Sequence, residues 1–236
     1  MKTFVQQVRI QRSLASRFGA TKYLDFKFEK HVNILCGPNG SGKSTLLACL
    51  FPGDVAIESK AISIPNRDKQ VRISRASGGR MVRKFDFEFD NPRNKSFGHS
   101  VMMGDIGIAG VILAASKMSH GQAMKKLIDS LLDAASIKGA CILLDEPEQA
   151  LDCDGLLYLR DRLKTLRNQY VIATHAPVLI LEPTFNVVEM VEGYKRRILD
   201  ATADVVRNAV VEKQSPSTSS KRSKTIAAPV RGEALR

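Results

Sequence analysis

Val32-Asn33-Ile34-Leu35-Cys36-Gly37-Pro38-Asn39-Gly40-Ser41-Gly42-Lys43-Ser44-Thr45-Leu46-Leu47-Ala48 is the stretch that decides the fold. Val32 to Cys36 is a short, mainly apolar segment that reads as a strand, and the residues after Lys43 read as a helix. The turn between them satisfies G-x-x-x-x-G-K-[ST]. Glycines at 37, 40 and 42 let the backbone aim its N–H groups at one point, and the helix N-terminus adds its positive dipole end. A multiply charged phosphate would be held there largely by main chain. Lys43 would bridge β- and γ-phosphates, and Ser44 would offer a hydroxyl to Mg²⁺. Gly37, Pro38, Asn39, Gly40, Ser41, Gly42, Lys43, Ser44 and Thr45 are therefore candidate nucleotide contacts. The bland alternative is a glycine-rich turn that matches by chance; the strand before it and the helix after it argue against that.

Working outward, Phe4 to Ile10 and Leu24 to Phe28 also read as strands. Phe85, Phe87 and Phe89 alternate with Asp86, Glu88 and Asp90, the period of a half-buried strand. Beyond residue 118 the pattern sharpens. Ala123, Leu127, Ile128, Leu131 and Leu132 form one helical stripe and Leu156, Leu159, Leu163 and Leu166 another, while Cys141 to Leu144 and Tyr170 to Ala173 are apolar runs. Helices alternating with fully apolar strands predict an α/β fold, a parallel sheet covered on both faces. Residues 1–211 are expected to form one domain. Residues 212–236, rich in Ser, Thr, Pro, Lys and Arg, are expected to be a disordered basic tail.

A chain of 236 residues can bury a full core. It carries no apolar run near the roughly 20 residues a membrane span needs. The N-terminus lacks the apolar segment of a secretory signal, so a cytoplasmic protein is expected. Cys36, Cys49, Cys141 and Cys153 occur singly, which disfavours a disulfide framework or a metal knuckle. The net charge of +12 favours anionic partners without choosing among nucleotide, nucleic acid and an acidic membrane surface.

Asp145 and Glu146 close the apolar run Cys141 to Leu144. Two acids at a strand's C-terminal edge cost stability unless a cation sits there, and nucleotide-bound Mg²⁺ fits. Asp145 would orient the metal's waters and Glu146 would act as general base; the alternative is that either residue simply caps the next helix. Ser119-His120-Gly121-Gln122 precedes an amphipathic helix and by itself is a plausible cap. The order of these elements, with Ala150-Leu151-Asp152 and Thr174-His175 following, resembles the ABC ATPase superfamily over roughly residues 20–190.

The resemblance implies a P-loop NTPase fold of that type, with a mainly parallel sheet flanked by helices and an antiparallel β portion in the N-terminal half. It implies ATP and Mg²⁺ as ligands and ATP hydrolysis as the activity. Ser119, Gly121 and Gln122 of one subunit would close over the γ-phosphate held by another, giving an ATP-dependent homodimer. Asp152 resembles the aspartate that communicates across that dimer. His175 resembles the switch histidine at the γ-phosphate, though a histidine after a strand also reads as a surface residue. Gln70, the sole glutamine between the phosphate loop and Ser119, is by default the metal-sensing glutamine, or a solvated residue in a basic stretch. Phe18 or Tyr23 would stack on adenine, or belong to the core.

His120, Glu148 after Asp-Glu-Pro, and Thr-His-Ala-Pro depart from the transporter pattern. They look more like stand-alone ATPases related to DNA-repair and phage-defence ABC proteins. The alternative function is the ATP-binding subunit of an ABC transporter. A non-hydrolysing nucleotide sensor is a further rival, disfavoured by Glu146 and His175. Residues 66–95 hold nine basic side chains against four acidic, and 213–236 hold six against one. Such surpluses suit a nucleic-acid backbone through counterion release, or form a solvated basic face. An unidentified partner protein stays open.

Overall fold

The structure, a computed structural model, describes residues 4–18, 24–50, 67–76, 80–86, 125, 128–129, 140–149 and 151–214. The chain divides into two compact units, residues 1–200 and 201–236. In the second, 201–214 is helical, and Val205 and Val206 are exposed.

The first unit holds two sheets. Five parallel strands run in the order β5-β6-β7-β3-β8, with β3 Val32–Cys36, β5 Arg80–Asp86, β6 Ala140–Asp145, β7 Gln169–Ala173 and β8 Asn186–Glu189. A smaller antiparallel sheet is ordered β2-β1-β4, with β1 Val5–Ile10, β2 Leu24–Lys27 and β4 Val71–Arg75. The mainly parallel sheet and the antiparallel N-terminal portion are therefore as expected. Of the Phe85, Phe87 and Phe89 alternation, only Phe85 falls within β5. Phe87 and Phe89 lie outside the described residues, as do the tail from 215 onward and most of the stripe from Ala123 to Leu132.

Successive side chains of a strand point to opposite faces, and this sorts the core into two layers. Ile34, Cys36, Ile142, Leu144, Tyr170 and Ile172 face one way. They meet Leu159 and Leu163 of α4 (Cys153–Thr165) and Leu179 and Ile180 of α5 (Pro177–Ile180), together with Ile128. Leu35, Cys141, Leu143, Val171 and Ala173 face the other way, toward Leu46, Leu47 and Leu50 of α2 (Lys43–Leu50) and the buried side of β1. Cys36, Cys49 and Cys141 are buried in these layers, and burial pushes the Cys36 and Cys141 thiols up to about 12.

α4 follows from its own sequence. Asp152 accepts a hydrogen bond from the Gly155 N–H at 2.8 Å, an N-cap of the usual kind, and Arg162 and Lys164 sit at the negative end of the helix dipole. Asp145 and Glu146 are thus not its cap.

Polar side chains join the sheets: Asn186 of β8 donates to the Lys27 carbonyl of β2 at 3.5 Å, and a closer link is made by Gln169. Gln169, at the start of β7, accepts from the Val5 N–H and donates to the Val5 carbonyl, both at 2.7 Å. Val5 sits where β1 slips register against β4. Gln169→Leu leaves a buried amide and carbonyl without partners, so urea unfolding should show a loss of about 1–3 kcal/mol.

Candidate functional site

β3, β7 and β6 are neighbours, so their C-terminal ends bring three loops together, at the edge where open α/β sheets carry their ligand sites. From β3 the chain enters the glycine loop. Gly40 has φ 77° and Gly42 φ 91°, the left-handed region that glycine enters freely. At Gly42 there is a second restriction. A Cβ there would lie 2.3 Å from the Phe18 ring, so that ring covers the loop. A Cβ at Gly37 would meet Ser41 Oγ at 2.5 Å and Met190 at 2.9 Å. α2 begins at Lys43 itself, so the helix's first free N–H groups fall in Gly42 to Thr45.

Lys43 is only 5% exposed. Its Nζ donates to the Gly37 carbonyl at 3.1 Å and the Pro38 carbonyl at 3.2 Å, so the ammonium folds back over the loop. Burial depresses its pKa, and the charges of Glu146, Glu148 and Asp145 work against that depression. An ammonium placed this way favours anions close by.

Ser44 Oγ donates to Asp145 Oδ1 at 3.1 Å, linking the start of α2 to the end of β6. Asp145 is 4% exposed. Glu146 follows with φ 46°, the sole described non-glycine residue in the left-handed region, and its N–H donates to the Ala173 carbonyl at 2.8 Å. That backbone twist redirects the chain into the short 3₁₀ turn Pro147–Gln149. The Gln149 amide donates to Glu146 Oε2, and His175 Nε2 lies 4.0 Å from Glu146 Oε1. His175 Nε2 and Ser41 Oγ are enclosed and make no hydrogen bond among the described residues.

Sequence reading passed over one contributor. Glu148 accepts from the Thr174 hydroxyl at 2.6 Å and from the His175 N–H, and thereby ties the turn after β6 to the segment after β7. It stood out in the sequence only as the third acid of Asp-Glu-Pro-Glu and as a departure from the transporter pattern.

The structure thus gathers Lys43, Ser44, Asp145, Glu146 and His175 with the loop Gly37 to Gly42. Gln70 ends the short helix Arg67–Gln70 next to β4, and its carbonyl accepts from the Gln11 N–H at 2.8 Å. Ser119, Gly121, Gln122 and Tyr23 lie outside the described residues. Lys125, Ile128 and Asp129 are described, each in helical conformation. Asp129 accepts from the Tyr158 hydroxyl at 2.7 Å and the Arg162 Nε at 2.8 Å, anchoring it on α4.

Residues 16–98, which include the glycine loop, match the AAA domain family. The phosphate import ATP-binding protein of Yersinia pestis is 28% identical over 192 residues, 64% of this chain and 67% of that protein. A Pyrococcus furiosus protein named as an ABC transporter ATP-binding protein is 25% identical over 202 residues, covering 73% of this chain and 74% of its own. A galactose/methyl galactoside import ATP-binding protein of Clostridium perfringens is 25% identical over 86% of this chain, which spans 45% of that relative. A glycine loop, a buried aspartate reached by its serine, and relatives of this kind all point one way: the chain is similar to ATP-binding proteins of the ABC class, and these likenesses support ATPase activity.

Proposed function

We propose that the chain is a stand-alone ABC-type ATPase in which residues 1–211 act as one domain and ATP drives head-to-tail dimerisation. The observation that carries the catalytic part is the meeting of three strand ends, with Ser44 bonded to Asp145 and Glu146 facing His175. Lys43 and the loop N–H groups would take the β- and γ-phosphates. Ser44 and Asp145 would hold Mg²⁺, with phosphate oxygens and water as its other ligands. When bound, the ion neutralises charge on the phosphates. Glu146 would take the proton of the attacking water, and His175, whose Nε2 stands beside it, would contact the γ-phosphate. The adenine ring would lie beside the loop in an open cleft of about 450 Å³, where Phe18, Phe26 and Met190 meet a mainly polar lining that includes Asp25, Lys27, Glu29, Asn186 and Glu189.

The output we favour is on nucleic acid, because the basic surplus suits a phosphate backbone. Within the described part, Lys69, Arg72 and Arg75 are exposed. A second reading, the ATP-binding subunit of a transporter, draws on the relatives' names. Among the described residues no helix is long and apolar enough to cross a membrane. Glu148 and the Thr174-His175-Ala176-Pro177 segment weigh toward the stand-alone reading. Capture of the tagged protein's partners with and without ATP separates the two: nucleic acid supports the first, a membrane protein the second.

Dimerisation has its own test. The Glu146→Gln protein should be monomeric without nucleotide and dimeric with Mg-ATP by light scattering, since bound triphosphates place negative charge between two basic surfaces. Adding Ser119→Arg should keep it monomeric with ATP still bound. A double variant that still dimerises would reduce Ser119 to a helix cap.

A further inference from the structure

We propose that Glu148 is a positioning residue that sets His175 against Glu146. The inference rests on the reading of Glu146 and His175 given above. Its basis is a closed set of contacts between two loops. Glu148 Oε2 accepts from the Thr174 hydroxyl at 2.6 Å, and Oε1 accepts from the His175 N–H. Thr174 Oγ1 in turn accepts from the Ala176 N–H at 3.0 Å, so one carboxylate organises three consecutive residues after β7. On the other side, Glu148 sits two residues beyond Glu146, in a turn whose entry is held by the Glu146 N–H on the Ala173 carbonyl. The two loops are therefore locked at both ends of the gap in which His175 Nε2 stands 4.0 Å from Glu146 Oε1.

The bonds from Glu148 hold main chain and a buried hydroxyl, and Thr174 is fully buried. Neither oxygen needs its charge to hold this geometry. A glutamine in the same rotamer accepts from the His175 N–H with its carbonyl oxygen and donates its amide to the second lone pair of Thr174 Oγ1, whose hydroxyl hydrogen then turns away from residue 148. An aspartate keeps the charge but is one methylene too short to reach both donors. Shape and charge thus predict opposite orders for the two conservative variants.

The test measures kcat for ATP hydrolysis and the Kd of a non-hydrolysable ATP analogue, on the full chain. Glu148→Ala and Glu148→Asp should each lose roughly ten- to hundredfold in kcat, as expected for a displaced reacting group, with Kd within about twofold of wild type. Glu148→Gln should stay within about fivefold of wild type. His175→Ala should also lose activity, and Glu148→Ala with His175→Ala should be no worse than the poorer single variant by more than about threefold, because both remove the same placed imidazole. Multiplying losses in the double variant, or an active Glu148→Asp beside an inactive Glu148→Gln, would overturn the proposal. A His175→Ala protein with wild-type kcat would instead remove the histidine's role, and the proposal with it. Should Glu148→Ala fail to fold, the Asp and Gln variants decide the question between them.

Discussion

Glu146→Gln is expected to cut ATP turnover roughly 10²- to 10⁴-fold while ATP affinity stays at the wild-type value. The amide has nearly the carboxylate's shape, so it can still take part in the contacts to Gln149 and His175. It cannot accept a proton from water. Lys43 Nζ is held by the Gly37 and Pro38 carbonyls, which the substitution leaves in place, so binding should be spared. Phosphate release gives kcat and equilibrium dialysis gives Kd. Turnover within about threefold of wild type would remove Glu146 as the base, since even a modest general base contributes more than that.

Lys43→Ala should act on the other quantity, weakening ATP affinity at least about a hundredfold, or about 3 kcal/mol. Its ammonium is held over the loop by two carbonyls, and burial lowers its pKa. Such a cation gains when a phosphate replaces those neutral acceptors. The Gly37 and Pro38 carbonyls would then face the phosphates without an intervening positive charge. Equilibrium dialysis with ATP would settle it: unchanged affinity would mean that the loop does not hold the triphosphate through Lys43.

How much of this was legible in the sequence depends on distance along the chain. β3, the glycine loop and α2 are contiguous and carry local signals, an apolar run, glycines at fixed offsets and a helical pattern, so residues 32–50 could be read directly. The apolar runs that became β6 and β7 were visible for the same reason. Strand order was not. β1 pairs with β4, some sixty residues away, and its register slips at Val5, which no periodicity announces. β8 escaped notice because all four of its residues are only half-buried.

The site divides in the same way. Asp145 and Glu146 stood out because acids at the end of an apolar run are costly, but Glu148 finds its partners 26 and 27 residues further on. Nothing in Asp-Glu-Pro-Glu says that its last acid reaches across to Thr174. Phe18 was one of two candidate aromatics, and only the fold shows its ring lying on Gly42.

The backbone at Glu146 has a consequence for anyone seeking to harden this protein. A residue with a Cβ held at φ 46° costs on the order of 1–2 kcal/mol that glycine would avoid. Selection for thermal endurance alone would therefore drift toward glycine at 146 and discard the carboxylate in the same step. Stability and turnover are set in opposition at a single codon, and a screen that scores only survival on heating would enrich inert protein.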